Sequence, residues 1–449
     1  MRFKNTGLLL LIFGALLAYV YFVEIKGKEK AERIKERESK LLVFEKDSLK
    51  TVFLEPAGIK FQKEGAEWRI TEPIRSKTEN WVINALINTL SDAKKERTVT
   101  RSPESLADYG LAPAKYQIII QHEGKTDTVY LGDKTPTGTY VFARVNSDST
   151  VYATQTALLT HAEKDLFDFR DKTVLDFETD DVERVTIKTP KRKIALRKEG
   201  EKWYIFKGKD QKLLADNFQV EQILNGIRNA KAKQFVEETP ENLSKYGLTR
   251  PAYELELQVT DDGGLKKLII GKATGSAYYA RDISRDPVFT VDSSAVHKLN
   301  TSEWDLREKR LSDFYSYQID YIELRLPDTT YVCEKDTANN WQVLEPVRGK
   351  AKNWKISSLA SSVSGLKMQK IVDENPSSLE KYGLDKPSYQ FICKKEGEEV
   401  ANVKIGKRKG DYYYAVGTLT PAVVLVKKED IEKFDISLND ILEKSSEEE

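Results

Sequence analysis

The tripeptide Tyr-Gly-Leu occurs three times in this chain, at Tyr109, Tyr246 and Tyr382, and the copies stand 137 and 136 residues apart. A constant period of that length means tandem units, and missing it would misassign the whole fold. In each copy a Pro follows the Tyr by four or five residues (Pro113, Pro251, Pro387), and a second Tyr follows by seven (Tyr116, Tyr253, Tyr389). The 449 residues allow two to four domains at about 100–200 residues each, so three fit.

Further markers keep the same spacing. A Trp sits in a strand-like stretch at Trp68, Trp203 and Trp341; Glu72-Pro73 and Glu345-Pro346 follow in the first and third copies, while the second lacks that pair. An Asn-aromatic pair then opens a helical pattern at Asn80-Trp81, Asn217-Phe218 and Asn353-Trp354. Downstream come Leu131-Gly132, Ile270-Gly271 and Ile405-Gly406. Aromatic runs follow at residues 140–144 (YVFAR), 278–281 (YYAR) and 412–415 (YYYA), and the copies close on Phe167-Asp168, Trp304-Asp305 and Phe434-Asp435. The segmentation read from these markers is a transmembrane signal anchor at 1–24, a charged stalk at 25–40, repeat domains at 41–175, 176–312 and 313–440, and an acidic tail at 441–449.

The second copy shows the secondary structure of one unit. DVERVTIKT, RKIALRK and KWYIFK alternate apolar and polar residues, which predicts a three-strand meander. Residues 217–234 place Phe218, Val220, Ile223, Leu224, Ile227 and Ala230 on one helical face, with Asp216 or Asn217 as cap. Residues 240–246 predict a short helix started by Pro240 and stopped by Gly247. YELELQV, KKLIIG, YYARDI and VFTVD give four more strands, and residues 293–300 a terminal helix. The expected order is βββ-αα-ββββ-α, an α+β fold, because strands and helices come in runs.

Residues 7–23 form an uncharged, apolar run of 17 residues. Such a helix is about 26 Å long, marginal for a hydrocarbon core of about 30 Å, with Lys4 and Lys26 placed to snorkel. The run exceeds a usual signal-peptide core and no A-x-A site follows, so it reads as an uncleaved anchor. Arg2 and Lys4 favour an inside N-terminus; Lys26, Lys28, Lys30, Arg33, Lys35 and Arg37 oppose it by simple counting. A short N-tail before a long polar body reads as an ordinary signal anchor with the body exported. Residues 24–40 interleave Glu with Lys and Arg at helical spacing and predict a solvated stalk.

The anchor, the Tyr-Gly-Leu element, the apolar-Gly and Tyr-Tyr-Ala-Arg elements, and the links FDFRDKTVLDF and WDLREKRLSDF resemble the DUF4340 family over about residues 40–440. The resemblance implies a membrane-anchored bacterial protein whose gene often neighbours those of gliding-motility-type ABC transporters. It implies residence in the bacterial inner membrane with a periplasmic or extracytoplasmic body, and transporter permease or auxiliary subunits as partners. The third copy departs from the pattern, with Val416 where Arg144 and Arg281 stand and a divergent end, FDISLND.

Composition narrows the chemistry. Lys and Arg total 72 against 71 Asp and Glu, a net charge of +1, which argues against nucleic acid as the partner. Three His fall at non-equivalent positions, HExxH is absent, and two Cys (Cys333 and Cys393) form no C-x-x-C, so no metal or other cofactor is expected; a bridge between the two Cys stays open. Gly271-Lys272-Ala273-Thr274 mimics the tail of a phosphate loop, but Ala273 replaces the required Ser or Thr. No catalytic residue is assigned.

The repeated residues divide into two groups. Tyr109, Tyr246 and Tyr382 are expected to pack under the next strand, Gly110, Gly247 and Gly383 to adopt positive φ, and Trp68, Trp203 and Trp341 to anchor cores. The candidate binding residues are Tyr140, Arg144, Tyr278, Tyr279, Arg281, Tyr412, Tyr413 and Tyr414, since Tyr and Arg are favoured at binding hot spots. A cross-strand Tyr–Arg pair holding the sheet is the competing reading. The function expected first is a non-catalytic accessory or scaffold component of a cell-envelope complex. The alternatives are a binder of envelope polysaccharide or peptide, marked by aromatics in an open groove, and a carboxylate-based hydrolase.

Overall fold

The structure is a computed structural model that describes residues 13–14, 21, 26–208, 211–260 and 264–443. The anchor run, residues 7–23, lies almost wholly outside the described residues, and among these no helix is long and apolar enough to cross a membrane. The stalk is a helix, Lys26–Ser39. The remainder holds three nine-stranded antiparallel sheets. With the strands of each repeat numbered in chain order, all three sheets run 4-3-2-1-6-7-8-9-5. Two compact units are distinguished, Met1–Val174 with Lys231–Pro240 and Pro287–Val291, and Leu175–Ala230 with Glu241–Asp286 and Asp292–Glu449.

The meander of the second repeat is Val182–Thr189, Arg192–Glu199 and Lys202–Lys207, and the later strands are Tyr253–Val259, Leu265–Thr274, Ala277–Asp282 and Val288–Asp292. Two strands beyond the expected seven complete the sheet: Gln211–Leu214 at one edge and Ala232–Glu237 at the other. The second predicted helix is a single 3₁₀ turn, Leu243–Tyr246. The predicted 217–234 helix ends at Arg228. Its buried stripe, Val220, Ile223, Leu224 and Ile227, stops there. Beyond it the chain changes period, and Ala232 and Phe235 pair with Val291 and Phe289.

Phe218 does not belong to that stripe. At about 100° per residue it stands roughly 200° from Val220, on the opposite face, and it is 62% exposed. Trp81 stands in the same relation to buried Ile83, and Trp354 to buried Ile356.

The tryptophan and asparagine markers are one device. Trp68, Trp203 and Trp341 are buried. Their backbone N–H groups donate to the side-chain oxygens of Asn80, Asn217 and Asn353, at 2.9, 2.9 and 2.7 Å. Each Asn opens a helix while satisfying a strand donor that packing has removed from water. Asp216 caps the second helix by accepting from the Gln219 N–H.

The tyrosine and glycine markers are a second device. Gly110, Gly247 and Gly383 end their 3₁₀ turns at φ of 67°, 73° and 69°, a conformation that disfavours any side chain. The turn then lies directly on a neighbouring strand. A Cβ at Gly132, Gly271 or Gly406 would collide with the carbonyl of Tyr109, Tyr246 or Tyr382. The two motifs are thus halves of one backbone crossing.

Cys333 and Cys393 are both free and buried. They pair in register with opposite sides of Ile322. Two strand spacings put their backbones about 9–10 Å apart, beyond the ~7 Å limit for a disulfide. Burial pushes the Cys333 thiol up to about 12 and the Cys393 thiol higher still than its usual range.

Two outcomes are expected. Gly271→Ala lowers stability in urea unfolding by about 1–3 kcal/mol, the usual cost of overpacking, whereas Gly275→Ala, with φ of 58° and open space around it, costs about 1 kcal/mol through backbone strain. Equal losses would show that the crossing tolerates a Cβ. Separately, neither thiol reacts with a chromogenic disulfide reagent at pH 8 in the native protein, and both react in denaturant.

Candidate functional site

The aromatic-plus-Arg strands are engaged within their own hairpins. The Arg144 guanidinium lies 3.6 Å over the ring of Tyr130, its cross-strand partner, and donates to the Asn146 carbonyl at 2.6 Å. Arg281 donates to the Arg285 carbonyl at 3.1 Å and pairs with Asp286 at 3.3 Å. Tyr140, Tyr278, Tyr279, Tyr413 and Tyr414 are half-buried, and Tyr412 is exposed. Tyr279 and Tyr414 pack on Tyr246 and Tyr382 at 5.0 Å between ring centres, as Phe142 packs on Tyr109 at 5.1 Å. Tyr278 and Tyr413 meet the second tyrosines, Tyr253 and Tyr389, edge to face.

The links between repeats hold a residue set whose role the sequence reading did not assign. Within the first unit, Arg170 is buried and makes a two-pronged ion pair with Glu238, at 2.5 and 2.9 Å, with its guanidinium 3.4 Å over Phe235. Within the second unit, Arg307 does the same to Glu374, at 2.7 and 3.1 Å. The surrounding backbone is stitched on both sides. Glu308 N–H donates to the Leu214 carbonyl, and Met368 N–H donates to the Lys309 carbonyl. So one segment joins the edge of one sheet to the next repeat.

The same stitching occurs before the first repeat and after the third. Ser39 and Leu41 bond the backbone of Lys95 and Ala93 as the links bond theirs. Here the position of Glu238 and Glu374, eight residues before the marker tyrosine, is Arg101. At the other end Lys350 and Lys352 bond Glu443 and Ile441, which places Leu442 where the arginines stand. This corrects the third closing pair. The capping boxes at Asp165/Asp168 and Ser302/Asp305 recur at Ser437/Asp440, so the counterpart of Phe167-Asp168 is Asn439-Asp440, not Phe434-Asp435.

With these residues accounted for, one set of repeated side chains is left in solvent: Trp81, Phe218 and Trp354, at 71%, 62% and 70% exposure. Phe218 lines an open groove of about 470 Å³ in the second unit, together with Leu214, Asn217, Arg310, Asp313 and Tyr315. Among the described residues no group of His, Cys, Asp or Glu is arranged to hold a metal ion.

These features define a tandem-repeat protein of three antiparallel-sheet domains, with Arg–Glu links whose arginines are buried and with an exposed aromatic at one equivalent position in each repeat. The chain belongs to the DUF4340 family, a domain of unknown function. The family's sequence model matches three times, over residues 68–214, 207–352 and 341–447. No curated protein matches the chain.

The Arg307–Glu374 link yields a stability prediction. An exposed pair is worth ~0–1 kcal/mol, and breaking a buried one costs ~3–5 kcal/mol. The Arg307 side chain is 8% and that of Glu374 37% exposed, so Arg307→Ala is expected to cost about 2 kcal/mol, between those limits. The hydrogen bond from Arg307 holds the Glu374 carboxyl below its usual value of 4.5, with burial opposing. A depressed folded-state value adds stability above the unfolded value and loses it as pH falls. Urea midpoints of the wild type should therefore drop as pH goes below about 4.5, and Glu374→Gln should flatten that part of the drop. An unchanged slope would remove the link from the acid response.

Proposed function

We propose that this chain is a membrane-anchored, non-catalytic scaffold or accessory component of a cell-envelope complex. Residues 7–23 hold it in the membrane, the helix Lys26–Ser39 sets the body off from the bilayer, and the body is exported. The observation that carries the reading is the exposure of Trp81, Phe218 and Trp354 at equivalent positions. Large aromatics are favoured anchors of binding interfaces. Three copies in one chain would raise the effective strength of binding to a partner that is itself repeated. An ABC-type transporter as the partner class follows from the family resemblance.

The test is affinity purification of the tagged full chain from gently solubilised native membranes, beside a Trp81→Ala/Phe218→Ala/Trp354→Ala variant. Recovery of permease or ATPase subunits in stoichiometric amount is expected for the wild type. The variant, with an unchanged unfolding midpoint, should lose them at least tenfold. Recovery of the wild type alone, under extraction that preserves other membrane complexes, would defeat the transporter assignment. Equal recovery by the variant would defeat the role of the aromatics.

A further inference from the structure

The groove beside Phe218 has features the scaffold reading does not need. At the register positions where the first two repeats carry Glu45 and Asp47, then Glu178 and Asp180, the third carries Tyr315 and Tyr317. Both tyrosines are exposed, and they stack on each other at 5.6 Å with an interplanar angle of 25°. The stack holds the Tyr315 ring in place, which lowers the ordering cost of binding. Phe218 lines the same groove. Its volume of about 470 Å³ falls in the ~300–1,000 Å³ range of small-ligand clefts.

Four of the charged side chains that line the groove are paired with one another, and Glu201 and Lys367, of opposite sign, line it as well. Asp313 is held by Lys202 at 2.9 Å and by Arg310 at 3.1 Å, and Arg310 also holds Glu308 at 2.7 Å. Asp216 is engaged at the helix cap. An anionic ligand would compete with these carboxylates for Lys202 and Arg310, and a cationic one would compete for the carboxylates. A neutral ligand leaves the pairs intact. It can use the lone pairs left on the fixed carboxylates, which accept strong hydrogen bonds from hydroxyl groups. A peptide would seek the ladder of the edge strand Gln211–Leu214. At the groove that edge is closed, because the Leu214 carbonyl accepts from Glu308 and Ala215 pairs with Arg307.

We propose that this groove binds a segment of uncharged polysaccharide, with sugar rings laid on Phe218 and Tyr315 and hydroxyl groups directed at Asp313 and Glu308. Sugar rings combine an apolar C–H face with a hydroxyl-bearing edge, which matches aromatic faces beside fixed carboxylates. The site is confined to the second unit, so the inference goes beyond the scaffold reading and does not depend on a transporter partner.

The test is binding of the labelled full chain to an array of neutral and acidic oligosaccharides four to eight sugars long, followed by calorimetric titration with the best neutral hexasaccharide. Retention of neutral chains is expected. Phe218→Ala and Tyr315→Ala should each weaken the hexasaccharide at least tenfold, while Tyr315→Phe, which keeps the ring, should stay within threefold. Unfolding midpoints of the three variants confirm that the fold is intact. No retention of neutral chains, or retention of acidic chains alone, would overturn the proposal. So would binding that survives both alanine variants.

Discussion

In every repeat the backbone of a 3₁₀ turn lies against the backbone of a strand with no side chain between them. The Tyr246 carbonyl occupies the space that a Cβ on Gly271 would fill, and Gly247 turns the chain at φ of 73° so that it can do so. Much else follows from this contact. It fixes where the turn sits on the sheet. It brings the Tyr246 ring onto Tyr279, in the next strand. It also positions Tyr253 to begin the central strand, paired with the first strand on one side and the seventh on the other. Neither glycine can be replaced without moving backbone, so both halves of the contact stand out in the sequence even though they are 24 residues apart.

A second constraint acts between consecutive repeats. A sheet of nine strands leaves two edges with unpaired backbone groups, and exposed edges invite association. Here each link segment bonds the strand-4 edge of one sheet and the start of the strand-5 edge of the next. The buried arginine on that segment could not stay there unpaired, since a lone buried charge is far more costly than a paired one. Its glutamate is therefore supplied by the following repeat. The glutamate position is Arg101 in the first repeat, and the arginine position is Leu442 after the third.

Much of this was legible in the sequence. Alternation revealed seven of nine strands because each is five or more residues long in the second repeat and most bury one face, although Val288–Asp292 is buried on both. The two it missed are the short edge strand Gln211–Leu214 and Ala232–Glu237, whose first residues extend a helical pattern by chance. Phe218 was misplaced because an aromatic at the start of an apolar helix looks like core. Measured from Val220, its angle around the helix already pointed outward. The link arginines were visible as residues, but their partners lie 68 and 67 positions away, and no local spacing connects them. The false third match at Phe434-Asp435 hid the substitution of Leu442 that would have exposed the pattern.

Internal repeats also act as a control on what a residue is for. A side chain required by the fold must recur wherever the fold recurs, and the tryptophans, asparagines, tyrosines and glycines do so with the same partners each time. A side chain that recurs mostly in solvent needs another explanation, and Trp81, Phe218 and Trp354 are of that kind. The opposite case is a position where one copy departs from the others while its fold persists. Tyr315 and Tyr317 replace acidic residues with no change in strand order or link geometry, so the sheet does not demand them. Tyr315 lines the groove with Phe218, and Tyr317 stacks on Tyr315. Local chemistry altered on an unaltered frame is how a single repeat acquires a ligand that its neighbours lack.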